Sequence, residues 1–387
     1  MYPTLSDLLK DLLGINIPLP IQMFGFMVAL AFIIGHYVIV SELRRKKELG
    51  YFTSTTRIET IGLPASSKEL WSNGLIGFLL GYKLIYIAFH YSLFIQDPPS
   101  VLLSFDGNFF AGIIVGAALT YYTYSEKNKA KLEKPLKKEI VMYPHDHMGT
   151  IIVIAAVFGL LGAKIFHNLE NFDYFIQNPI DALLSFSGLT FYGGLIVGLI
   201  AVYYYAKKNK IPFIHLIDAA APGLILAYAI GRVGCQLSGD GDWGIVNTLP
   251  KPSTLSFLPD WAWAYKYPNN VLSEGVPIAG CIGKHCMELP EAVFPTPLYE
   301  SIMGFAIFIF LWLIRKRIEI TGMMFSIYLL LNGMERFFIE KIRVNSLYHV
   351  GNYSFTQAEL ISSMLMLLGI VGIYLSYKKH KLNAATN

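Results

Sequence analysis

Charge is scarce in this chain. Asp, Glu, Lys and Arg make up 15% of its 387 residues, against 54% for the hydrophobic types. The mean hydropathy is +0.48. That balance excludes an ordinary soluble domain and a disordered chain, and it suits a polytopic membrane protein. Several catalytic signatures are also missing: there is no GxxxxGK[ST] phosphate loop, no GxSxG elbow and no HExxH pair. Cysteine is nearly absent, with three in all. Cys281 and Cys286 share the string GCIGKHC in a long loop, where an oxidising exterior allows a disulfide and a reducing one leaves two thiols. A zinc site needs more ligands than His285 adds, so no metal and no cofactor is expected.

Long apolar runs are what the chain has in plenty. Nine stretches reach roughly the 20 residues that span a bilayer: 20–40, 72–94, 109–125, 148–168, 190–206, 212–236, 297–314, 321–341 and 357–377. Each must satisfy its own backbone in lipid, so each is expected to be a helix. Basic blocks follow alternate runs at Arg44–Lys47, Lys127–Lys138, Lys207–Lys210, Arg315–Arg317 and Lys378–Lys381. By the positive-inside rule the N-terminus lies outside and the C-terminus inside. The formal net charge of +4 is therefore a topology signal beside anionic lipid, and no nucleic-acid partner is implied. The first run lacks a basic leader and reads as a retained helix. The expectation is an all-α, polytopic bundle of about nine membrane helices, one integral membrane domain over 1–387, with an extracytoplasmic loop segment at 238–296.

The chain also repeats itself. Gly81 to Gly107 aligns without a gap on Gly162 to Gly188, with FIQDP matching FIQNP and LLSFDG matching LLSFSG. One inserted residue then brings FFAG (Phe109–Gly112) onto FYGG (Phe191–Gly194). Two copies of a helical hairpin, 74–129 and 155–210, follow from this match. They run in the same direction, as parallel repeats do.

Polar residues inside apolar runs are expensive in lipid and mark candidate sites. Arg232 stands between Gly231 and Gly234 in AIGRVGCQLSGDGDWG (Ala229–Gly244), either facing a phosphate or reaching for the outer headgroups. In NGMERFFIEKIRVN (Asn332–Asn345), Arg336, Glu340 and Arg343 are spaced to share one helix face. Such a stripe is either a guanidinium fork for phosphate or a structural ion-pair ladder. Gly193 and Gly194 open a helix beside Tyr192; they either offer backbone N–H groups to an anion or let two helices approach closely. Tyr299 and Glu300 in FPTPLYE are weaker candidates, as are the PHDH string (Pro144–His147), read as a loop and helix start, and Asp218 with Pro222, read as capping and bending the sixth helix. Two arginine groups suit a reaction in which a lipid phosphate departs and its growing charge is stabilised.

The strings FYGG, GRVGCQLSGDGDWG, PTPLYE and ERFFIEKIR, in this order, resemble the bacterial prolipoprotein diacylglyceryl transferases. The resemblance runs from about Met148 to Ser376. It implies an enzyme of the bacterial cytoplasmic (inner) membrane that moves the diacylglyceryl group of phosphatidylglycerol onto the lipobox cysteine thiol of a prolipoprotein. A thioether forms and glycerol phosphate leaves. The partners implied are phosphatidylglycerol, prolipoprotein signal peptides and membrane lipid. The family's phosphatidylglycerol-binding arginine falls on Arg232, its second essential arginine on Arg336, its following glutamate on Glu340 and its L-Y-E tyrosine on Tyr299. The catalytic set implied is Arg232, Arg336, Tyr192 and Asp240. The binding set is Arg232, Gly193, Gly194, Gly244, Tyr299, Glu340 and Arg343.

Four departures stand out. The family's F-H-G-G histidine is Tyr192 here, and a phenol with a pKa of about 10 is a poor base. The asparagine after G-R-x-G is Cys235. The motif N-G-E-x-W-G has become S-G-D-G-D-W-G, where Asp240 is preferred over Asp242 for the glutamate. The duplicated hairpin raises the usual seven spans to nine. The alternative class is a transporter or flippase for an anionic lipid or solute.

Overall fold

The computed structural model describes residues 1–387 apart from 16, 97, 185–189, 352 and 387. The end of the LLSFSG match therefore lies outside the described residues. Fourteen helices carry these residues: α1 (Leu5–Leu13), α2 (Met23–Glu48), α3 (Ser67–Phe89), α4 (Tyr91–Gln96), α5 (Pro98–Leu103), α6 (Phe109–Lys129), α7 (Met148–Glu170), α8 (Phe172–Gln177), α9 (Pro179–Leu184), α10 (Phe191–Lys208), α11 (Phe213–Ser238), α12 (Thr296–Ile314), α13 (Met323–Glu340) and α14 (Gln357–Thr386). Each of the nine expected apolar runs coincides with a long helix. Among the described residues, six helical stretches are long and apolar enough to cross a bilayer: Met23–Glu48, Ser67–Phe89, Pro144–Glu170, Phe213–Ser238, Thr296–Ile314 and Gln357–Asn383. The chain is a multi-pass membrane protein.

The fold is not wholly helical. β1 (Thr55–Ile61) pairs antiparallel with β2 (Leu136–Met142), from Thr55 opposite Met142 to Ile61 opposite Leu136. This ribbon joins the two linkers that flank the α3–α6 hairpin. Two shorter ribbons, β3 (Val276–Pro277) with β4 (Met287–Glu288) and β5 (Leu347–Val350) with β6 (Tyr353–Thr356), lie in loops.

α11 is the centre of the bundle and packs against α2, α12 and α13, while α13 packs along α14. Small residues set its approach to α2: a Cβ on Gly223 would lie 2.5 Å from Ile39, and one on Gly35 3.5 Å from the Gly223 carbonyl. Pro222 sits within the helix without ending it. Asp218 does not cap its own helix. Its buried carboxylate accepts N–H bonds from Gly322 (2.6 Å) and Phe325 (2.9 Å), capping the start of α13 from across the bundle. Nearby, at the basic end, Glu42 is held between Arg45 (2.9 Å) and Arg315 (3.4 Å).

The two hairpins are built alike. In the first, a Cβ on Gly81 would meet the Ala111 carbonyl at 2.5 Å and Val115 at 2.7 Å. In the second, a Cβ on Gly162 would meet the Gly193 carbonyl at 2.4 Å and Val197 at 2.5 Å. Asn108 N–H donates to the Tyr82 carbonyl as Thr190 N–H donates to that of Ala163. Their surroundings differ. α3 and α6 pack chiefly on each other, whereas α7 and α10 also rest on α2 and α11. Ile39, Leu43, Met148, Ile151, Ala206 and Leu216 form that second joint.

Candidate functional site

Four segments that are far apart in sequence bring their charges together at the end of the bundle that bears the long 239–295 loop. α11 contributes Arg232 in its last two turns. The loop after it contributes Asp242, α12 contributes Glu300 from its first turns, and the end of α13 with the residues beyond it contributes Arg336, Glu340 and Arg343. Glu300 is the hub and has no exposed surface. Its carboxylate meets Arg232 Nε at 2.7 Å, Arg336 Nη1 at 3.1 Å and Arg343 Nη1 at 3.1 Å. Arg336 also pairs with Glu340 at 3.0 Å, and Asn345 donates to that glutamate at 2.6 Å. Asp242 pairs with Arg232 through one oxygen and with Arg343 through the other, at 2.6 Å for Arg343.

Three arginines thus face three carboxylates among the described residues. Removing one buried partner leaves an uncompensated charge, so the set stands or falls together. It is not sealed: the Arg232 and Arg336 side chains stay 18% and 21% exposed, enough to present guanidinium edges to an arriving anion. The Arg232 guanidinium also stacks over the Tyr228 ring at 5.3 Å, and the Tyr228 hydroxyl donates to Glu335 at 3.3 Å.

The expected face of three residues is realised by a different route. α13 stops at Glu340, so Arg343 lies beyond the helix and is delivered by backbone. Gly244 bridges to Arg343, and Ile245 N–H donates to the Ile342 carbonyl at 2.8 Å. A Cβ on Gly244 would sit 2.4 Å from that carbonyl. Gly244 therefore lets two loop strands touch and tie Arg343 to Asp242.

Tyr192, at the start of α10, completes the group. Its side chain hydrogen-bonds Arg336, with Glu340 and Arg343 near enough to act on it electrostatically. The two glycines that follow it point elsewhere. Gly193 and Gly194 turn to α7: a Cβ on Gly193 would meet Phe166 at 2.4 Å, and one on Gly194 the Gly159 carbonyl at 2.9 Å. Gly194 N–H is spent on the Thr190 carbonyl. Both approach α7 as closely as small residues at a helix contact do. Tyr299 also turns away, donating to the Ala262 carbonyl at 2.9 Å. Its neighbour Glu300 takes the central place.

The two aspartates separate. Burial and the charge of Asp242 push the Asp240 carboxyl above the usual carboxylate range. Burial pushes Asp242 up as well, but the guanidinium groups of Arg232 and Arg343 outweigh it and hold it below that range. Asp242, not Asp240, touches the arginines. Asp240 lies beside Cys235 and accepts from the Asp242 N–H at 3.4 Å. Cys235, Asp240 and Asp242 bring ligand atoms within 4.8 Å of one another, but Asp242 has both oxygens committed to arginine. Cys281 and Cys286 are disulfide-bonded.

By sequence Glu300 is among the weaker candidates. Its signal was present: a glutamate inside an apolar helix is costly unless it is paired.

The family model for prolipoprotein diacylglyceryl transferase matches residues 113–375. The chain belongs to that family. Proteins named phosphatidylglycerol–prolipoprotein diacylglyceryl transferase are among its relatives. That of Clostridium botulinum strain Hall is 34% identical over 238 residues, 61% of this chain and 83% of the relative. That of Clostridium novyi is 31% identical over 246 residues, 63% and 85%. That of Clostridioides difficile is 34% identical over 241 residues, 62% and 82%. The family match includes every residue of the charged cluster and begins inside α6, so α3 falls outside it. The chain is therefore a transferase by family, and the transporter or flippase alternative finds no support.

Proposed function

We propose that this chain transfers the diacylglyceryl group of phosphatidylglycerol to the lipobox cysteine thiol of prolipoproteins in the bacterial cytoplasmic membrane. The observation that carries the reading is Glu300, fully buried and bound to three arginines at the mouth of a membrane bundle. Arg232 and Arg336 are assigned to the phosphate. Its planar donors make arginine suited to hold it in two contacts. The thiol sulfur attacks the glycerol carbon that carries the phosphate ester. An S–C bond forms as the thiol proton passes to water, the C–O bond breaks, and its electron pair stays on the phosphate oxygen, which leaves as glycerol phosphate. The negative charge growing on that oxygen meets guanidinium groups already in place, and such fixed donors stabilise the transition state without reorganising.

Glu300, Glu340 and Asp242 hold the arginines in position. Asp242 takes the place first given to Asp240. Tyr192 is assigned to orienting Arg336 through its hydroxyl. The nine-helix topology, with the cluster at the outer face, and the origin of the first hairpin by duplication belong to the same reading. In purified protein supplied with phosphatidylglycerol and a lipobox peptide, Arg232→Ala and Arg336→Ala should each lower glycerol phosphate release at least about a hundredfold. Normal release by either folded variant would overturn the assignment.

A further inference from the structure

We propose that the outer face carries a polar subsite for the stretch of polypeptide that follows the lipobox cysteine, and that the elbow of the first hairpin, formed by α4 and α5, is part of its wall. The inference rests on the transferase reading. A cavity of about 910 Å³ lies between the N-terminal segment, the disulfide turn and that elbow. This is near the upper end of the roughly 300–1,000 Å³ of ordinary ligand pockets. Tyr2, Asp7 and Asp11 line one side, Ile282 and His285 another, and Ile95 a third. Asp7 and Asp11 are four apart on α1 and share its polar face, with Leu5, Leu8, Leu9 and Leu12 on the other. The Tyr2 hydroxyl donates to Asp11. The elbow is tied in by the Tyr91 hydroxyl, which donates to the Pro18 carbonyl.

The chemistry of the wall selects the occupant. It holds Asp7 and Asp11 beside Lys10 and Lys284, and no arginine among the described residues. A lipid phosphate calls for one sign of charge, whereas a polar peptide is served by both signs and by backbone groups. A second feature gives the direction. Met1 and Tyr2 stand in the wall of this cavity and also of a smaller one of about 370 Å³. That smaller cavity is lined mostly by apolar and aromatic side chains, among them Val233, Leu237, Trp261 and Leu298, with Gln236 and Ser301 as its polar members. It borders the turns of α11 and α12 that carry Arg232 and Glu300. The N-terminal dipeptide between the two is fixed: the Met1 amine donates to the Pro268 carbonyl at 2.9 Å and Tyr2 N–H to the Leu237 carbonyl at 2.8 Å. From the catalytic end outward, the lining thus passes from apolar to polar. A secretory precursor makes the same passage, from its apolar signal segment to its water-soluble mature chain.

The test uses two lipobox peptides, one ending just after the cysteine and one continuing for several polar residues. The longer peptide carries a photoreactive group in its extension. Crosslinks are expected in the turn around Ile282 and at the elbow near Ile95. Ile282→Glu and Ile95→Arg, both at exposed positions, should raise KM for the longer peptide about tenfold and leave kcat and the shorter peptide unchanged. Crosslinks elsewhere, equal effects on both peptides, or a raised KM for phosphatidylglycerol would overturn the proposal. Absence of turnover in the unsubstituted protein would count against the transferase reading alone, because crosslinking decides the subsite without it.

Discussion

A Cβ on Gly81 would meet the Ala111 carbonyl across the first hairpin as one on Gly162 would meet that of Gly193 across the second, at nearly the same distance. The position next to each contact then parts company. Phe110 is 77% exposed, while Tyr192 reaches Arg336. The second hairpin rests on α2 and α11 and is thereby brought to the charged cluster. The first is held by the β1–β2 ribbon and packs on itself. One packing code serves both, so glycine spacing specifies a hairpin, not a site. What sets the second hairpin apart is the joint that turns its start toward Arg336.

The largest expected effect tests that joint. Leucine in place of Gly162 or of Gly81 introduces the same clash in either hairpin. Gly162→Leu should displace α10 and lower transfer to the shorter peptide about a hundredfold, since a shift of about 1 Å near a site has that cost. Gly81→Leu should leave transfer within about a factor of two to three. Equal losses, measured in folded protein, would erase the distinction. Next in size is the hydroxyl itself. Tyr192→Phe should lower kcat about tenfold or more, as expected for a hydrogen bond to a charged group. Phe110→Tyr should change nothing, and Tyr192→His, which restores the residue usual in the family, should keep activity.

A smaller contrast separates the two aspartates by the same rule of contact. Asp242→Asn weakens the hold on Arg232 and Arg343 and should lower transfer; Asp240→Asn should not. Their pH behaviour differs in sign. Asp242 has a depressed pKa, so its stabilisation is present above the ordinary carboxylate range and is lost as pH falls through the lower folded value. Asp240 has a raised pKa, so stability is lost as pH climbs from the ordinary carboxylate value through the raised one. Asp240→Asn should therefore raise Tm at neutral pH and match the parent below that range.

Much of this was legible in the sequence, and the rest has physical reasons. Helices were readable because lipid forces each apolar segment to satisfy its own backbone. Arg232 and Arg336 were readable because guanidinium in an apolar run is costly. The β1–β2 ribbon was missed because its strands lie far apart in the chain and the basic residues near β2 read as a topology signal; the β-branched Thr55–Ile61 run was the available cue. Helical spacing puts Arg343 on one helix face with Arg336 and Glu340, but α13 ends at Glu340, and the Gly244 bridge brings Arg343 to the Glu300 it shares with Arg336. The choice of Asp242 over Asp240 depends on how a glycine-rich turn folds back on the arginines, and no local pattern encodes that.

The most direct measurement is stoichiometry. Purified protein is reconstituted with phosphatidylglycerol and a lipobox peptide, and glycerol phosphate release is compared with the peptide's gain in mass. Equal amounts of the two products are expected, both requiring the cysteine thiol. Glycerol phosphate without modified peptide, or lipid movement without either product, would contradict diacylglyceryl transfer at the Glu300-centred cluster.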